Sequence, residues 1–306
     1  MTDRFQSRFG AGIPPRPAAR ADLTPPPSAP AMPPREFHFT SADFDKVRQL
    51  IHTHAGISLS PAKQDMVYSR LARRLRACGD RSFADYLRRL ESDRNEWETF
   101  TNSLTTNLTS FFREAHHFDI LAERLKQMRN ARSITIWCAA ASTGEEPYSL
   151  AITACEAFNT LSPPVKIIAS DIDTQVIEHG RRGVYREDRV ERMVAARVQR
   201  FFLKGTGTQE GHVRVRPELQ RLLEFKRINL LDARYPVSGP VDFIFCRNVM
   251  IYFDKTTQRA ILSRFAPLLS AEGLLFAGHS ESFLHSADLF RSRGRTVYER
   301  NHDPRR

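Results

Sequence analysis

The stretch "ITIWCAAASTGEEPYSLAI", Ile134–Ile152, decides the fold when read with "VKIIASDID", Val165–Asp173. A short β-branched run, a loop of small residues, a helix start and a second apolar run ending in Asp171 make a βαβ unit of the nucleotide-binding type. The loop departs from the dinucleotide pattern. It offers only Gly144 where a pyrophosphate wants several glycines, and it sets Glu145 and Glu146 where two phosphates would sit, a poor place for anions. These residues point to an adenosine without phosphates. S-adenosylmethionine fits, since a carboxylate after the second strand can hold its ribose and its sulfonium and ammonium tolerate nearby acids. On these residues the chain reads as a methyltransferase.

Outward from this unit, strand-like runs recur as "VDFIFC" and "GLLFAGH", separated by helical segments such as "TTQRAILSRFAPLLS". The alternation predicts a parallel sheet with helices on both faces. The interval from Phe201 to Phe225 is different. Glycines at 205, 207 and 211 followed by alternation through Val213 and Val215 predict a small antiparallel insertion, over about 200–226. Toward the N-terminus, "FTSADFDKVRQLIHTHAG", "SPAKQDMVYSRLARRLRACG" and "SFADYLRRLES" carry apolar stripes (Phe44, Val47, Leu50, Ile51; Val67, Leu71, Leu75, Cys78; Phe83, Tyr86, Leu87, Leu90). A small helical domain over 35–105 follows, with the α/β domain over 106–306. Residues 1–34 hold nine of the eighteen prolines and read as a disordered leader.

The net charge of +11 and 41% hydrophobic content fit an ordinary globular chain long enough for two domains. Charge alone does not choose among nucleic acid, membrane surface and an acidic protein partner. Cys78, Cys138, Cys155 and Cys246 show no CxxC pairing and read as reduced thiols, hence a cytoplasmic protein. No run reaches the roughly 20 apolar residues of a membrane span.

Asp171 is placed to accept both ribose hydroxyls; its bland alternative, capping the next helix, is open to Asp173 or Thr174 instead. "STGE" reads as a capping box from Ser142 to Glu145, which leaves Glu146 as the ligand candidate. "RINLLD" offers Asn229 and the Leu230 backbone to an adenine edge. "VDFIFCRNVMIYF" ends an apolar strand in Arg247 and Asn248 at the carboxyl edge, with Tyr252 one turn later. No Pro-Pro-aromatic follows Asn248, which argues against DNA. "LTTNLTSFFREAHHF", Leu104–Phe118, reads either as a cap and amphipathic helix or as site residues, and the adjacent His116 and His117 point apart on a helix and predict no metal site. Arg70, Arg73, Arg74 and Arg76 are either a solvated face or a docking surface for an acidic helix.

Together, "TTNLTSFFRE", "AAASTGEEPYS", "ASDID", "INLL", "FCRNVMIYFD" and "GLLFAGHSE" closely resemble the chemotaxis receptor glutamate O-methyltransferases, the CheR family, in order from about Phe37 to Tyr298. The resemblance implies a class I, Rossmann-like methyltransferase domain with an antiparallel β-subdomain, preceded by an all-helical domain. It implies S-adenosylmethionine as methyl donor, no metal, and glutamates on the cytoplasmic helices of chemoreceptors as acceptors, giving γ-methyl esters. By motif it assigns Asn107, Thr109, Arg113, Glu146, Asp171, Asn229, Leu230, Arg247 and Asn248 to the donor, and Arg113 and Tyr252 to the reacting methyl. It turns Arg70, Arg73, Arg74 and Arg76 toward the acidic methylation helices. It sets Gly205, Gly207 and Arg214 of "KGTGTQEGHVRV" on a receptor's C-terminal pentapeptide, bound by strand addition, with Lys204 where the family often has Arg. The implied protein is a cytoplasmic monomer recruited to receptor arrays, without nucleic acid or membrane insertion. A binding module without turnover would lack Arg113, Asn248 or Tyr252, and an NAD oxidoreductase is disfavoured by the acidic loop.

Overall fold

The structure, a computed structural model, describes residues 5–6, 35–105 and 107–301. Its first element is a two-residue strand, β1 (Phe5–Gln6), inside the leader read as disordered; the other leader residues lie outside the described ones. The helical domain follows as α1 (Ser41–Ala55), α2 (Gln64–Cys78), α3 (Phe83–Ser92) and α4 (Arg94–Leu104). The starts obey their sequences. Thr40 and Asp43 close a capping box on α1, and Ser82 and Asp93 accept backbone N–H groups at the starts of α3 and α4. Val47, Ile51, Val67, Leu71, Leu75, Tyr86, Leu90 and Phe100 bury the apolar stripes against one another in one core. Each such side chain contributes roughly 1.5–3 kcal/mol relative to exposure.

The α/β domain runs α5 (His116–Gln127), β2 (Ile134–Cys138), α6 (Glu145–Phe158), β3 (Val165–Asp171), α7 (Thr174–Arg182), β4 (Val184–Arg186), α8 (Ala195–Phe201), β5 (Phe202–Gly205), β6 (His212–Val215), α9 (Pro217–Gln220), β7 (Leu223–Arg227), β8 (Val241–Phe245), α10 (Lys255–Phe265), β9 (Leu269–Phe276), β10 (Phe290–Ser292) and β11 (Val297–Arg300). The large sheet has the order β10-β11-β9-β8-β2-β3-β7, parallel from β9 to β7 and antiparallel at β10 and β11. Alternation divides its side chains between two cores. Ile136, Ile167, Phe243 and Phe245 face α5 and α6, whereas Trp137, Ile168, Ile244 and Leu275 face α10. Burial on both faces is why these strands read as unbroken apolar runs.

The insertion is bounded differently from its sequence reading. The small antiparallel sheet is ordered β1-β5-β6-β4, its part within the α/β domain begins at Val184, and Leu223–Arg227 belongs to the large sheet, paired parallel to β3. β4 is too short for two-residue alternation to declare itself, and β7, an edge strand with no fully buried side chain, lacks the apolar run of its neighbours. Gly205 is required by close approach: a Cβ there would stand 1.9 Å from the Gln209 carbonyl oxygen. The segment Leu104–Phe118 is not a cap leading into a helix. α4 ends at Leu104, the described residues 105 and 107–115 form neither helix nor strand, and α5 starts only at His116.

Candidate functional site

Strands β8, β2, β3 and β7 are neighbours, so the loops after them share the carboxyl edge of the sheet, where open α/β folds take ligands. Between these loops and the helical domain lies a cavity of about 490 Å³. Asn107, Thr109, Arg113, Glu146, Asp171, Asn229, Leu230, Arg247, Asn248 and Tyr252 all line it. The sequence scatters them from 107 to 252; the sheet order gathers them.

The opposite wall was not foreseen. Ile57, Ser58, Lys63 and Met66, from the α1–α2 connection and the start of α2, also line the cavity. Three ties hold this wall in place. The Asn229 side-chain amide donates to the His54 carbonyl at 2.9 Å, the Ser58 N–H donates to the Tyr252 carbonyl at 2.8 Å, and Gly56 packs against Leu231 and Phe253. Asn229 Oδ1 accepts from the Leu231 N–H at 3.0 Å, so its side chain is committed to joining the domains. At the mouth stand Leu108 and Ile251, exposed large apolar side chains that also line the cavity.

Asp171 ends β3, with Oδ2 accepting from the Ser142 N–H at 2.9 Å and Oδ1 from the Asp173 N–H at 3.0 Å. Burial pushes its carboxyl up to about 6, against the lowering pull of those backbone donors. Capping of α7 falls to Asp173, which accepts from Gln175 and Val176. The capping box expected of Ser142 and Glu145 does not form. Ser142 has φ 48° and spends its N–H on Asp171, and α6 starts instead from Gly144 at φ 99°, where a Cβ would stand 2.6 Å from the Tyr185 hydroxyl. Glu145 is held by the Thr143 hydroxyl at 2.6 Å and by an ion pair with Arg189. Both carboxylates are buried in the first turn of α6, which leaves no anion site there.

Arg247, with a fully buried side chain, joins Glu146 at 2.5 Å and Glu114 at 3.1 Å, and donates to the Arg113 carbonyl at 2.6 Å. Burial pushes the Glu114 carboxyl up, but Arg247 and the bonds from Asn248 and His279 outweigh it and hold Glu114 below its ordinary value. The Cys138 thiol donates to the other oxygen of Glu146 at 3.3 Å, and burial beside that carboxylate drives the thiol well above its usual range. Glu281 accepts from the Asn248 and Met250 N–H groups at 3.0 and 2.8 Å and so shapes the Arg247–Tyr252 loop, where Asn248 has φ 58°. Tyr252 ends a single 3₁₀ turn, Met250–Tyr252. Glu114 and Glu281 lie inside the quoted motifs "TTNLTSFFRE" and "GLLFAGHSE", yet only the tertiary contacts give them work. His117 is buried, its Nε2 against the Arg295 carbonyl at 3.0 Å, and burial lowers it to about 4, so it is neutral. Arg113 donates Nη1 to the Leu108 carbonyl at 2.8 Å and is half-buried at the cavity wall.

The four arginines of α2 do not form one free basic face. Arg70 donates to the carbonyls of Leu104 and Thr105 at the end of α4, Arg74 makes a two-pronged pair with buried Glu96 at 2.6 and 2.8 Å, and Arg76 pairs with Glu36 at 2.7 Å. Arg73 is exposed. Helical spacing shows which residues share an arc but not which of them the neighbouring helix uses. Gly205 and Arg214 sit in the small sheet, Gly207 opens the 3₁₀ turn Gly207–Gln209 between β5 and β6, and Lys204 pairs with Glu187 at 3.3 Å.

A cavity at the strand ends, a carboxylate after β3 and a helix start closed to phosphates fit an adenosine-bearing cation. Comparison with known proteins agrees. The model of the CheR methyltransferase SAM binding domain matches residues 107–298, and that of the CheR methyltransferase all-alpha domain matches 42–105. The chain is 54% identical over 265 residues to chemotaxis protein methyltransferase 2 of Pseudomonas aeruginosa, covering 86% of this chain and 95% of that one. It is 52% identical to the chemotaxis protein methyltransferase of Escherichia coli, covering 86% and 92%, and 54% identical to that of Salmonella typhimurium, covering 86% and 92%. No helix among the described residues is long and apolar enough to cross a membrane.

Proposed function

The chain belongs to the CheR family of S-adenosylmethionine-binding chemotaxis methyltransferases, and from that premise we propose that it methylates glutamate side chains on the cytoplasmic helices of chemoreceptors. The observation that carries the reading is the cavity. Asp171, Arg113 and Tyr252, from three distant parts of the sequence, line one chamber whose mouth is rimmed by apolar Leu108 and Ile251 and flanked by the helical domain.

Asp171 takes the ribose hydroxyls, with the Ser142 and Asp173 N–H groups fixing its carboxylate. Asn107, Thr109 and the Leu230 backbone complete the donor's surroundings, and Glu146 and Asn248 wall the reactive end. Arg247 works through others: held between Glu146 and Glu114, it fixes the Arg113 carbonyl and so the approach of that residue. The donor supplies an electrophilic methyl group on a cationic sulfur.

A glutamate carboxylate is ionised near neutral pH and is itself the nucleophile, so no general base is required. The residues then have to align carboxylate oxygen with methyl and sulfur and keep water away. The free edge of the Arg113 guanidinium orients the incoming carboxylate by a charge-assisted hydrogen bond, and Tyr252, from the loop after β8, positions the pair. Arg73 attracts the acidic receptor helix, and the small sheet holds a receptor tail by strand addition.

The test is transfer of labelled methyl groups to cytoplasmic receptor fragments. Label on glutamate that mild alkali releases, as it does from an ester, is expected; alkali-stable label or none overturns the reading. Arg113→Ala and Tyr252→Phe should lower single-turnover rates at least tenfold more than they weaken donor binding. Wild-type rates in both would remove their assigned roles.

A further inference from the structure

The strand β1 is the one element of the proline-rich leader among the described residues, and it does not stand alone. Phe5 pairs with Gly205 and Gln6 with Lys204, antiparallel, so β1 closes the β5 edge of the small sheet. Without it β5 would be an edge strand, a row of unpaired N–H and C=O groups ready to accept an extended peptide. The leader's composition suits such a role. Residues 1–13 contain no proline and read "MTDRFQSRFGAGI", with aromatic residues and arginines close together, while all nine leader prolines fall between 14 and 34. Proline cannot donate to a ladder, so the strand-forming piece and the connector are separated in sequence. The 28 residues from 7 to 34 span at most roughly 100 Å fully extended, ample for a return to the body of the chain.

We propose that the leader is an intramolecular ligand of the small sheet: Phe5–Gln6 occupies the β5 edge, and an extended peptide arriving in trans must displace it. That the competing peptide is a receptor tail rests on the reading of the small sheet given above. Two residues of pairing make a weak contact, but tethering gives the leader a high effective concentration. A weak, tethered occupant lowers the fraction of open edge without closing it, so it sets a threshold for the competitor: apparent affinity falls by the open fraction. The device links the leader to substrate tethering while leaving the donor cavity untouched.

The test uses the full chain and the double variant Phe5→Pro/Gln6→Pro, which removes both leader N–H groups. Amide hydrogen exchange over 203–206 is read first. Exchange there should quicken in the variant, with the remainder of the chain unchanged; equal exchange in the two proteins overturns the leader's seat. Binding of a synthetic aromatic-bearing pentapeptide from a receptor C-terminus is read by fluorescence anisotropy, and the variant should bind on the order of three- to tenfold tighter. Faster exchange with no peptide binding to either protein upholds the leader's seat and overturns the tail as its competitor. Methylation of tailless receptor fragments should match wild type; a change there overturns the claim that the donor cavity is untouched.

Discussion

In the donor cavity Arg247 lies with no exposed side-chain surface between Glu146 and Glu114, whereas in the small sheet Lys204 meets Glu187 at 3.3 Å with both side chains more than a third exposed. The two regions are built for opposite tasks. Arg247 and its two carboxylate partners are paired within the chain, which fixes that wall of the cavity, and on the proposed reading the contacts that change on binding fall to Asp171, Arg113 and Tyr252. The small sheet offers mainly a backbone edge, which any extended segment can occupy in turn. Fixed geometry suits a methyl transfer that needs atoms in line; an exchangeable edge suits capture and release of a partner.

Breaking the buried cluster should have the largest effect. Arg247→Ala leaves two carboxylates without their shared cation and is expected to cost about 3–5 kcal/mol of stability in denaturant titration. A loss below about 1 kcal/mol, the range of exposed pairs, would mean that the cluster is not the rigid element of the comparison.

Next in size is the behaviour of Asp171. Burial lifts its carboxyl to about 6, so the folded chain holds this proton more tightly than the unfolded chain. Its contribution to stability is complete below the unfolded value and lost as pH rises through about 6. On the proposed reading donor binding runs the other way, with the ionised carboxylate as acceptor for both ribose hydroxyls. Affinity measured by calorimetry should therefore drop about tenfold between pH 7 and pH 5. Asp171→Ala should lose about 1.5–3 kcal/mol of donor binding near neutral pH with unchanged circular dichroism. A flat wild-type profile would dissociate Asp171 from the donor.

The smallest effect belongs to the exposed surface. Arg73→Glu should slow methylation of receptor fragments severalfold at low ionic strength, and the gap should narrow toward about 0.5 M salt, where the screening length is only a few Å. The unfolding midpoint should not move. Arg74 is unsuited to this test, because a carboxylate there would face buried Glu96. A deficit independent of salt would show that Arg73 acts by a contact other than exposed charge.

Much of the cavity was legible in local patterns. The apolar runs of β3 and β8 end abruptly in polar residues because strands covered on both faces must be apolar until they emerge at the edge, and Asp171, Arg247 and Asn248 stand at those exits. The acidic first turn of α6, poor in glycine, excluded a pyrophosphate from sequence alone. What required the fold was every contact between segments distant in the chain. Spacing on α2 could not reveal that Arg70 and Arg74 serve α4, that the α1–α2 connection walls the cavity, or that Glu281 shapes the Asn248 loop. Nor could a proline-rich composition disclose that Phe5 and Gln6 pair with a strand some 200 residues away. Local sequence sets dihedral preference, capping and which faces are apolar, since those depend on neighbours within a few residues. Which polar group meets which depends on how whole elements pack, and that is settled only when the chain is folded.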